Sequence, residues 1–279
     1  MQDNRKTALL VLVLAAMLFS LLTVFAAGSG RAKTSAKAAI LYRADTGEVL
    51  YESNSEARLP MASTTKIMTA LIALERCDLR SEVTIPREAA GIEGSSVYLK
   101  EGDVLTVRDL IYSVLLQSAN DAATALAYEI SGDIRGFTDL MNERALSLGA
   151  LDTHFDNPHG LDSSEHYTTA RDLAIITAAA LENDLFRKIC STYKYEFFIS
   201  DSPRVVVNHN KLLKRYPDAI GVKTGYTKKS GRCLVGAAER EGVRLITVTL
   251  SDPCDWRDHE ALFDLGFSLS ITDKKSTAE

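Results

Sequence analysis

The sequence is poor in the residues that build metal centres. It contains only five histidines and four cysteines among 279 residues. Zinc hydrolases hold their metal with motifs such as HExxH, and structural zinc sites use paired cysteines at short spacing. Neither pattern occurs among His154, His159, His166, His209 and His259 or among Cys77, Cys190, Cys233 and Cys254. The sequence therefore predicts no metal site and no cofactor.

Positive charge is also scarce. The 32 lysines and arginines are outnumbered by 37 aspartates and glutamates, which gives a formal net charge of -5. Domains that bind nucleic acid usually carry a clustered basic excess that neutralises phosphates. We therefore predict no nucleic-acid partner. The hydrophobic content of 46% is sufficient for a substantial core.

Long hydrophobic runs are limited to one segment, Ala8 to Ala27. Arg5-Lys6 precedes it and Gly28-Ser29-Gly30 follows it, an order typical of an export signal. A run of about 20 apolar residues would also span a bilayer if it were retained. We predict that residues 1–27 are a signal peptide or an N-terminal membrane anchor, that the chain is exported, and that residues 28–37 form a flexible linker.

Four cysteines in an exported chain raise the question of disulfides. Cys77 follows an apolar helical pattern and Cys233 lies in a strand pattern, two settings in which buried free thiols are common. We predict unpaired core cysteines, with a disulfide between Cys233 and Cys254 as the alternative.

A serine and a lysine three residues apart, Ser63 and Lys66, have the spacing of a nucleophile and its base. Near neutral pH a serine needs a base within hydrogen-bond reach, and positions i and i+3 share one face of a helix. The apolar spacing predicts a helix over residues 64–76. A second match, Ser191-Thr192-Tyr193-Lys194, runs into a strand pattern, where positions three apart point to opposite faces. Ser63 is therefore the predicted nucleophile.

Two further short motifs follow in the chain. Ser118-Ala119-Asn120 lies between helical patterns over 107–117 and 122–130, with Asp121 as the predicted N-cap of the second. Such a loop can hold a hydroxyl and an amide over a cleft, although the same residues are also common as plain helix caps. Lys223-Thr224-Gly225 lies on the first strand of a predicted hairpin, whereas the similar Lys229-Ser230-Gly231 falls in its turn. We therefore predict that Lys223, and not Lys229, is the functional lysine of this motif.

The order of elements predicts an α/β (α+β) fold. Helical patterns dominate residues 64–183, and strand patterns occupy both ends of the chain, over 38–43, 48–52, 193–199, 221–226, 232–238 and 243–250. This order indicates an antiparallel sheet built from both chain ends with an inserted helical lobe, and a cleft between the two parts is the natural ligand site. A last helix is predicted over 257–267, followed by a polar tail over 268–279.

The three motifs together resemble those of the penicillin-recognising serine enzymes, and specifically the D-alanyl-D-alanine carboxypeptidases among the low-molecular-weight penicillin-binding proteins. The resemblance covers Ala38 to Phe267. Beyond the three motifs, it includes Asp45-Thr46-Gly47-Glu48, Asn157-Pro158-His159-Gly160-Leu161, Thr169-Ala170-Arg171-Asp172-Leu173 and Asn208-His209-Asn210.

This resemblance implies a β-lactamase/DD-peptidase-like fold over residues 38–267 and a serine D,D-carboxypeptidase that is sensitive to penicillin. The enzyme would remove the terminal D-alanine from peptidoglycan stem pentapeptides, with β-lactams as covalent inhibitors. It implies Ser63 as nucleophile, Lys66 as base and Ser118 as proton relay. Substrate binding falls to Asn120, Lys223, Thr224, Gly225 and Tyr226, and the oxyanion hole to backbone N–H groups of Ser63 and Tyr226.

The resemblance also implies a location and leaves three alternative functions open. It places the protein on the outer face of the cytoplasmic membrane or in the cell wall. Because residues 272–279 are polar, we expect any membrane attachment through the N-terminus only. A serine β-lactamase, a D,D-transpeptidase and a penicillin-binding sensor without turnover would share these motifs. A class A lactamase also needs a Glu-x-x-Leu-Asn loop, and the nearest match, Glu182-Asn183-Asp184-Leu185-Phe186, lacks the final asparagine.

Overall fold

The computed structural model describes residues 33–199 and 202–276. The predicted leader over 1–27 and the start of the linker lie outside the described residues. Within the described ranges, none of the helices combines the length and the apolarity needed to cross a bilayer.

A five-stranded antiparallel sheet forms the centre of the molecule, in the order β2-β1-β9-β8-β7. Because β1 pairs with both β2 and β9, strands from the two ends of the chain share one sheet, as predicted. Two shorter hairpins, β3–β4 and β5–β6, lie apart from it. The strands are β1 (Ala38–Arg43), β2 (Glu48–Ser53), β3 (Glu82–Thr84), β4 (Val104–Thr106), β5 (Lys194–Ile199), β6 (Ser202–Val207), β7 (Ala219–Thr227), β8 (Gly231–Arg240) and β9 (Val243–Leu250).

Helices fill the middle of the chain and close its end. Short 3-10 turns at Ala62–Thr65 and Arg87–Ala89 and a π turn at Ser113–Gln117 accompany them. The helices are α1 (Lys66–Arg76), α2 (Val107–Tyr112), α3 (Asn120–Ser131), α4 (Ile134–Leu148), α5 (Ala170–Leu181), α6 (Asp184–Ser191), α7 (Leu212–Arg215) and α8 (Asp255–Ser276).

Helices cover both faces of the sheet because side chains of a strand alternate between faces. On β9, Ile246 and Val248 belong to the same buried cluster as the helical insertion. Thr247 and Thr249 point the other way, where their hydroxyls hydrogen-bond the two ring nitrogens of His259 on α8 at 2.6 and 3.0 Å. The edge strand β7 is left beside the Ala62–Thr65 turn, which positions the site described below.

Three predicted boundaries need correction. Helix α3 begins at Asn120, so Asp121 is not its N-cap; the Asp121 carboxylate instead accepts hydrogen bonds from the backbone N–H groups of Val97 and Leu99. The linker ends early, because the Ser35 backbone N–H donates to the Asp258 carboxylate at 2.5 Å. The predicted polar tail is helical as far as Ser276, since α8 continues past Phe267.

Several short elements were not predicted from the sequence. They are α6, α7, the β3–β4 hairpin and strand β6, which contains Pro203. A proline within a strand weakens the sequence signal, because it removes a ladder donor. All four cysteines are unpaired, as favoured from the sequence, but only Cys190 and Cys233 are buried, whereas Cys77 and Cys254 are half-buried.

Candidate active site

The structure brings Ser63 and Lys66 together. Ser63 lies in the 3-10 turn and Lys66 opens α1, so both side chains leave the same turn of helix. Ser63 Oγ and Lys66 Nζ are 2.9 Å apart, and the Lys66 side chain is 0% exposed. A hydroxyl and an amine are thus in direct contact in a water-excluded setting.

Lys66 Nζ has two further contacts, both with carbonyl oxygens. It lies 2.7 Å from Asn120 Oδ1 and 2.5 Å from the backbone oxygen of His159. Burial, and then the charge of Lys223, hold the pKa of Lys66 well below its usual value, against an opposing effect of Asp121. A neutral amine has two N–H donors and one lone pair. When both N–H groups donate to the two carbonyls, the lone pair remains for the proton of the Ser63 hydroxyl, whose Oγ lies 2.9 Å away.

The His159 carbonyl is held on Lys66 by a tight turn. Asn157 Oδ1 accepts from the backbone N–H groups of His159 and Gly160, and Asn157 Nδ2 donates to the oxygen of Leu161. Residues 157–161 belong to the family resemblance, but no role was predicted for them from the sequence. A backbone acceptor leaves no trace in residue type, and only the asparagine that shapes the turn could have pointed to it.

Gly160 is the point of closest approach between this turn and the Ser63 turn. Its φ is +92°, and a Cβ added there would lie 1.9 Å from the Ala62 oxygen. We expect Gly160→Ala to lower the free energy of unfolding by about 3 kcal/mol or more, because it combines backbone strain with overpacking. Chemical denaturation measures this.

The matched control is Gly242→Ala, which has a φ of +78° but no heavy atom within 4 Å of the added Cβ. It should cost only about 1–2 kcal/mol, the penalty of the left-handed conformation. Equal losses in the two variants would show that the contact with Ala62 is unimportant.

The buried side chain of His166 is linked by hydrogen bonds to the Ala62–Thr65 turn, which carries Ser63. The His166 Nδ1 accepts from the backbone N–H of Asp156 at 3.0 Å, so its Nε2 carries the proton and donates to Thr65 Oγ1 at 2.7 Å. Thr65 Oγ1 in turn donates to the Ala62 oxygen at 2.8 Å. These hydrogen bonds fix the carbonyl group of Ala62, the residue that precedes Ser63 and has a φ of +47°.

Ser118 and Asn120 join the pair from the end of the π turn. Ser118 has a left-handed backbone, with a φ of +63°, and its Oγ is buried without a hydrogen-bond partner among the described residues. Ser118 lines the same cleft as Ser63. Asn120 Nδ2 donates to the Glu93 oxygen, which fixes Oδ1 towards Lys66.

Strand β7 supplies the remaining predicted residues. A Cβ on Gly225 would lie 3.0 Å from the Ser63 nitrogen, so the strand backbone runs directly beside the nucleophile. Lys223 is 1% exposed and its Nζ donates to the Thr224 oxygen at 2.8 Å. Burial lowers the pKa of Lys223 to about 7. Tyr226 is 67% exposed at the rim.

The two competing motif matches lie elsewhere. Ser191 ends α6, where its Oγ donates to the Lys188 oxygen, and Lys194 begins the following strand. Lys229 lies in the turn between β7 and β8, and its Nζ contacts the Ser163 oxygen. Five of the predicted site residues line one cleft of about 370 Å³: Ser63, Ser118, Thr224, Gly225 and Tyr226. The other three are buried behind it, where Lys66 contacts Ser63 and Asn120, and Lys223 contacts the Thr224 oxygen.

Two buried histidines, His166 and His259, and the half-buried His159 predict acid sensitivity. Burial lowers the pKa of His159 to about 3, of His166 to about 4 and of His259 to about 3. Below about pH 6.5 the unfolded chain binds protons that the folded chain does not, so stability is full above that pH and falls towards pH 4. Each histidine steepens the fall of the free energy of unfolding by up to about 1.4 kcal/mol per pH unit.

His259→Gln isolates this effect, because glutamine does not titrate. The free energy of unfolding of the variant should fall less steeply between pH 6.5 and 4.5 than that of the parent, as measured by urea denaturation. Parallel curves for the two proteins would rule out His259 as a source of the acid sensitivity.

The model of the D-alanyl-D-alanine carboxypeptidase family matches residues 25–254. Carboxypeptidase DacF of Bacillus subtilis is 39% identical over 219 residues, which cover 76% of this chain and 56% of that protein. Carboxypeptidase DacB2 of Mycobacterium tuberculosis is 38% identical over 235 residues, covering 81% and 80% of the two chains. The chain thus spans little more than half the length of the Bacillus relative.

Solved structures give the same result. The crystal structure of a D-alanyl-D-alanine carboxypeptidase from Mycobacterium tuberculosis superposes with a TM-score of 0.81 at 36% identity, covering 85% of this chain and 92% of the other. A Streptomyces DD-transpeptidase superposes with a TM-score of 0.80 at 33% identity, covering 85% and 98%.

Proposed function

Since this chain belongs to the D-alanyl-D-alanine carboxypeptidase family of serine-type hydrolases, we propose that it removes the terminal D-alanine from peptidoglycan stem peptides through an acyl-enzyme on Ser63. The observation that carries this proposal is the environment of Lys66 Nζ, which lies between two carbonyl acceptors and the Ser63 hydroxyl. Burial and the charge of Lys223 lower the pKa of this amine, which favours the neutral form that can accept the Ser63 proton.

In the proposed acylation, Ser63 Oγ attacks the carbonyl carbon of the penultimate D-alanine while its proton moves to Lys66 Nζ. The backbone N–H groups of Ser63 and Tyr226 stabilise the oxyanion, each such donor contributing about 3 kcal/mol in comparable sites. The C–N bond to the terminal D-alanine then breaks. Ser118 passes a proton to the departing nitrogen, and water later hydrolyses the ester.

Asn120 and Lys223 act on the base in this proposal. Asn120 Oδ1 orients the Lys66 amine and can also receive a substrate amide nearby. Lys223 lowers the pKa of Lys66 through its charge. Gly225 allows β7 to approach the Ser63 turn closely, because a side chain there would collide with that turn.

Nothing in the described residues favours the lactamase rival. Its candidate water-activating residue, Glu182, has a side chain that is 77% exposed and pairs with Arg244 at 3.3 Å. The transpeptidase rival depends on which nucleophile enters, and one structural neighbour carries that activity in its name.

The test is incubation of the purified protein with a stem pentapeptide. We expect free D-alanine and tetrapeptide, and the same tetrapeptide when a glycine-like amine acceptor is added. A product that carries the amine would assign a transpeptidase, and release of neither product would contradict the proposal.

We further propose that the protein works outside the cytoplasm, with β-lactams as covalent inhibitors and with residues 1–27 as its signal or membrane anchor. The supporting observation is the order of charged, apolar and small residues over 5–30. A protein starting near Ala36 should remain active in the soluble fraction, whereas pelleting of that shortened protein with membranes would require a second attachment.

A further inference from the structure

The segment over residues 93–99, here called the wall loop, forms one wall of the active-site cleft. It contains no helix or strand, and its Ser95 lines the same cleft as Ser63 and Thr224. Backbone N–H and C=O groups outside helices and sheets must find their hydrogen-bond partners elsewhere. The contacts that hold the wall loop therefore decide whether this side of the cleft has one fixed shape.

Asn120, which contacts the base, also anchors the first half of the wall loop. Its backbone N–H donates to the Ser95 oxygen at 2.7 Å, and its Nδ2 donates to the Glu93 oxygen at 2.5 Å. Gly94 lies against the same side chain, because an added Cβ would be 2.8 Å from Asn120 Nδ2. The wall loop and the Lys66 amine thus contact the two ends of one side-chain amide.

The carboxylate of Asp121, the next residue of α3, anchors the second half. It accepts the backbone N–H groups of Val97 at 3.2 Å and of Leu99 at 3.0 Å, and the Ser96 hydroxyl at 2.5 Å. Ser96 Oγ in turn accepts from the Tyr98 N–H at 2.8 Å. Asp121 is 0% exposed. One buried side chain therefore holds four consecutive residues, directly or through a single hydroxyl.

The wall loop depends on these anchors because its backbone is strained. Tyr98 has a φ of +62°, in the left-handed region that is unfavourable for a bulky residue. Such a conformation persists only where the surroundings impose it. The Tyr98 side chain is 80% exposed, so its own packing does little to impose it. The hydrogen bond to Ser96 Oγ, which Asp121 fixes, has this role instead.

Asp121 also acts on the base through its charge. Lys66 faces Lys223 from β7, Asp121 from α3, and His159 and His166 from the segment between α4 and α5. Both histidines are neutral near pH 7, because burial lowers the pKa of His159 to about 3 and of His166 to about 4. The charge of Lys223 lowers the pKa of Lys66, whereas that of Asp121 raises it. Of these four groups, Asp121 alone makes the amine a stronger base.

We propose that Asp121 is a positioning residue of the active site, which fixes the wall loop to α3 and supports the buried base with its negative charge. It acts through Asn120, Lys66 and the wall loop rather than on the substrate. The inference rests on the proposed function and deepens it, because it adds a residue on which acylation of Ser63 depends.

Asp121→Asn tests this inference, because asparagine keeps the size of the side chain and one acceptor oxygen but removes the charge. Stopped-flow acylation by a chromogenic cephalosporin is measured as a function of pH. Acylation requires neutral Lys66, and loss of the Asp121 charge lowers the pKa of that amine. The acidic limb of the profile should therefore move to lower pH. Above the limb, the rate should fall about tenfold, as expected for loss of a hydrogen bond to a charged group.

Asp172→Asn is the matched control. Asp172 is also a buried residue of a helix, and its Oδ2 holds another loop through the Asp152 N–H at 2.7 Å and the Thr153 hydroxyl at 2.8 Å. Its charge is not among those that act on Lys66. The variant should have a lower melting temperature but an acidic limb in the same place as that of the parent.

Ser96→Ala separates the anchoring of the wall loop from the charge. It removes the hydroxyl that links Tyr98 to Asp121 and leaves the carboxylate in place. Amide hydrogen exchange at Tyr98 should become about fivefold faster, and acylation about fivefold slower, with an unmoved acidic limb. In Asp121→Asn, exchange at Val97 and Leu99 should become about tenfold faster.

Unchanged exchange at Val97 and Leu99 in Asp121→Asn would overturn the inference, as would an acidic limb that stays in place or moves equally in Asp172→Asn. If Asp121→Asn does not fold, Ser96→Ala decides the question, and parent-like exchange and acylation in that variant would overturn the inference. The proposed carboxypeptidase activity is judged separately, by D-alanine release from the parent protein. Acylation by the cephalosporin does not require that release, so either conclusion can fail without the other.

Discussion

Ser63→Ala should abolish covalent labelling by a fluorescent penicillin and lower D-alanine release by about 10⁴-fold or more. The substitution removes only the attacking oxygen, and no other hydroxyl contacts Lys66 Nζ among the described residues. Gel fluorescence and a D-alanine assay measure the two effects. The melting temperature should change little, because Ser63 Oγ makes only a long 3.5 Å contact besides that with Lys66.

Ser191→Ala is the matched control, since Ser191 also precedes a lysine by three residues. Its hydroxyl is bonded to the Lys188 oxygen at the end of α6. This variant should label and turn over as the parent does. Labelling that survives in Ser63→Ala, or that is lost in Ser191→Ala, would show that the nucleophile is wrongly assigned.

Lys66→Arg and Lys66→Met should each reduce acylation by about 10³-fold, within the range for loss of a general base. Arginine stays protonated at the pH of the assay, and methionine has no basic nitrogen. Stopped-flow acylation by a chromogenic cephalosporin measures the rate. Thermal unfolding of both variants separates this chemical loss from a loss of folding, because Lys66 is fully buried.

The pH profile gives an independent test of the base. Activity requires neutral Lys66, so the rate should rise with pH through the pKa of Lys66. The charge of Lys223 lowers that pKa. Lys223→Gln should therefore move the acidic limb of the profile to higher pH, whereas Lys229→Gln, in the exposed turn, should leave it in place. An unshifted limb in Lys223→Gln would contradict the coupling of the two lysines.

Local patterns were sufficient to predict the contact between Ser63 and Lys66 and the architecture of the sheet. Ser63 and Lys66 are one helical turn apart, and strand patterns at both chain ends implied their pairing. The Thr106–Asp109 capping box of α2 was also predictable, because both partners are local in sequence.

Features that depend on distant partners were not predictable. Asp121 has the composition of a helix cap, yet its carboxylate satisfies backbone donors more than 20 residues away. The His159 oxygen reaches Lys66 across 93 positions, and the register of β7 and β8 places Lys223 opposite Val235 and Thr224 opposite Leu234. Backbone acceptors and strand register are set by the tertiary fold, which residue type alone does not record.

Mass mapping of the penicillin adduct tests the central claim most directly. Trypsin releases Ser63 in the peptide Leu59–Lys66, because cleavage follows Arg58 and Lys66. The mechanism predicts one penicilloyl group on that peptide, with fragmentation locating it on Ser63 rather than on Thr64 or Thr65. An adduct on a peptide that contains Ser118 or Ser191 instead, or a protein that stays unmodified under saturating penicillin, would contradict the proposed acyl-enzyme.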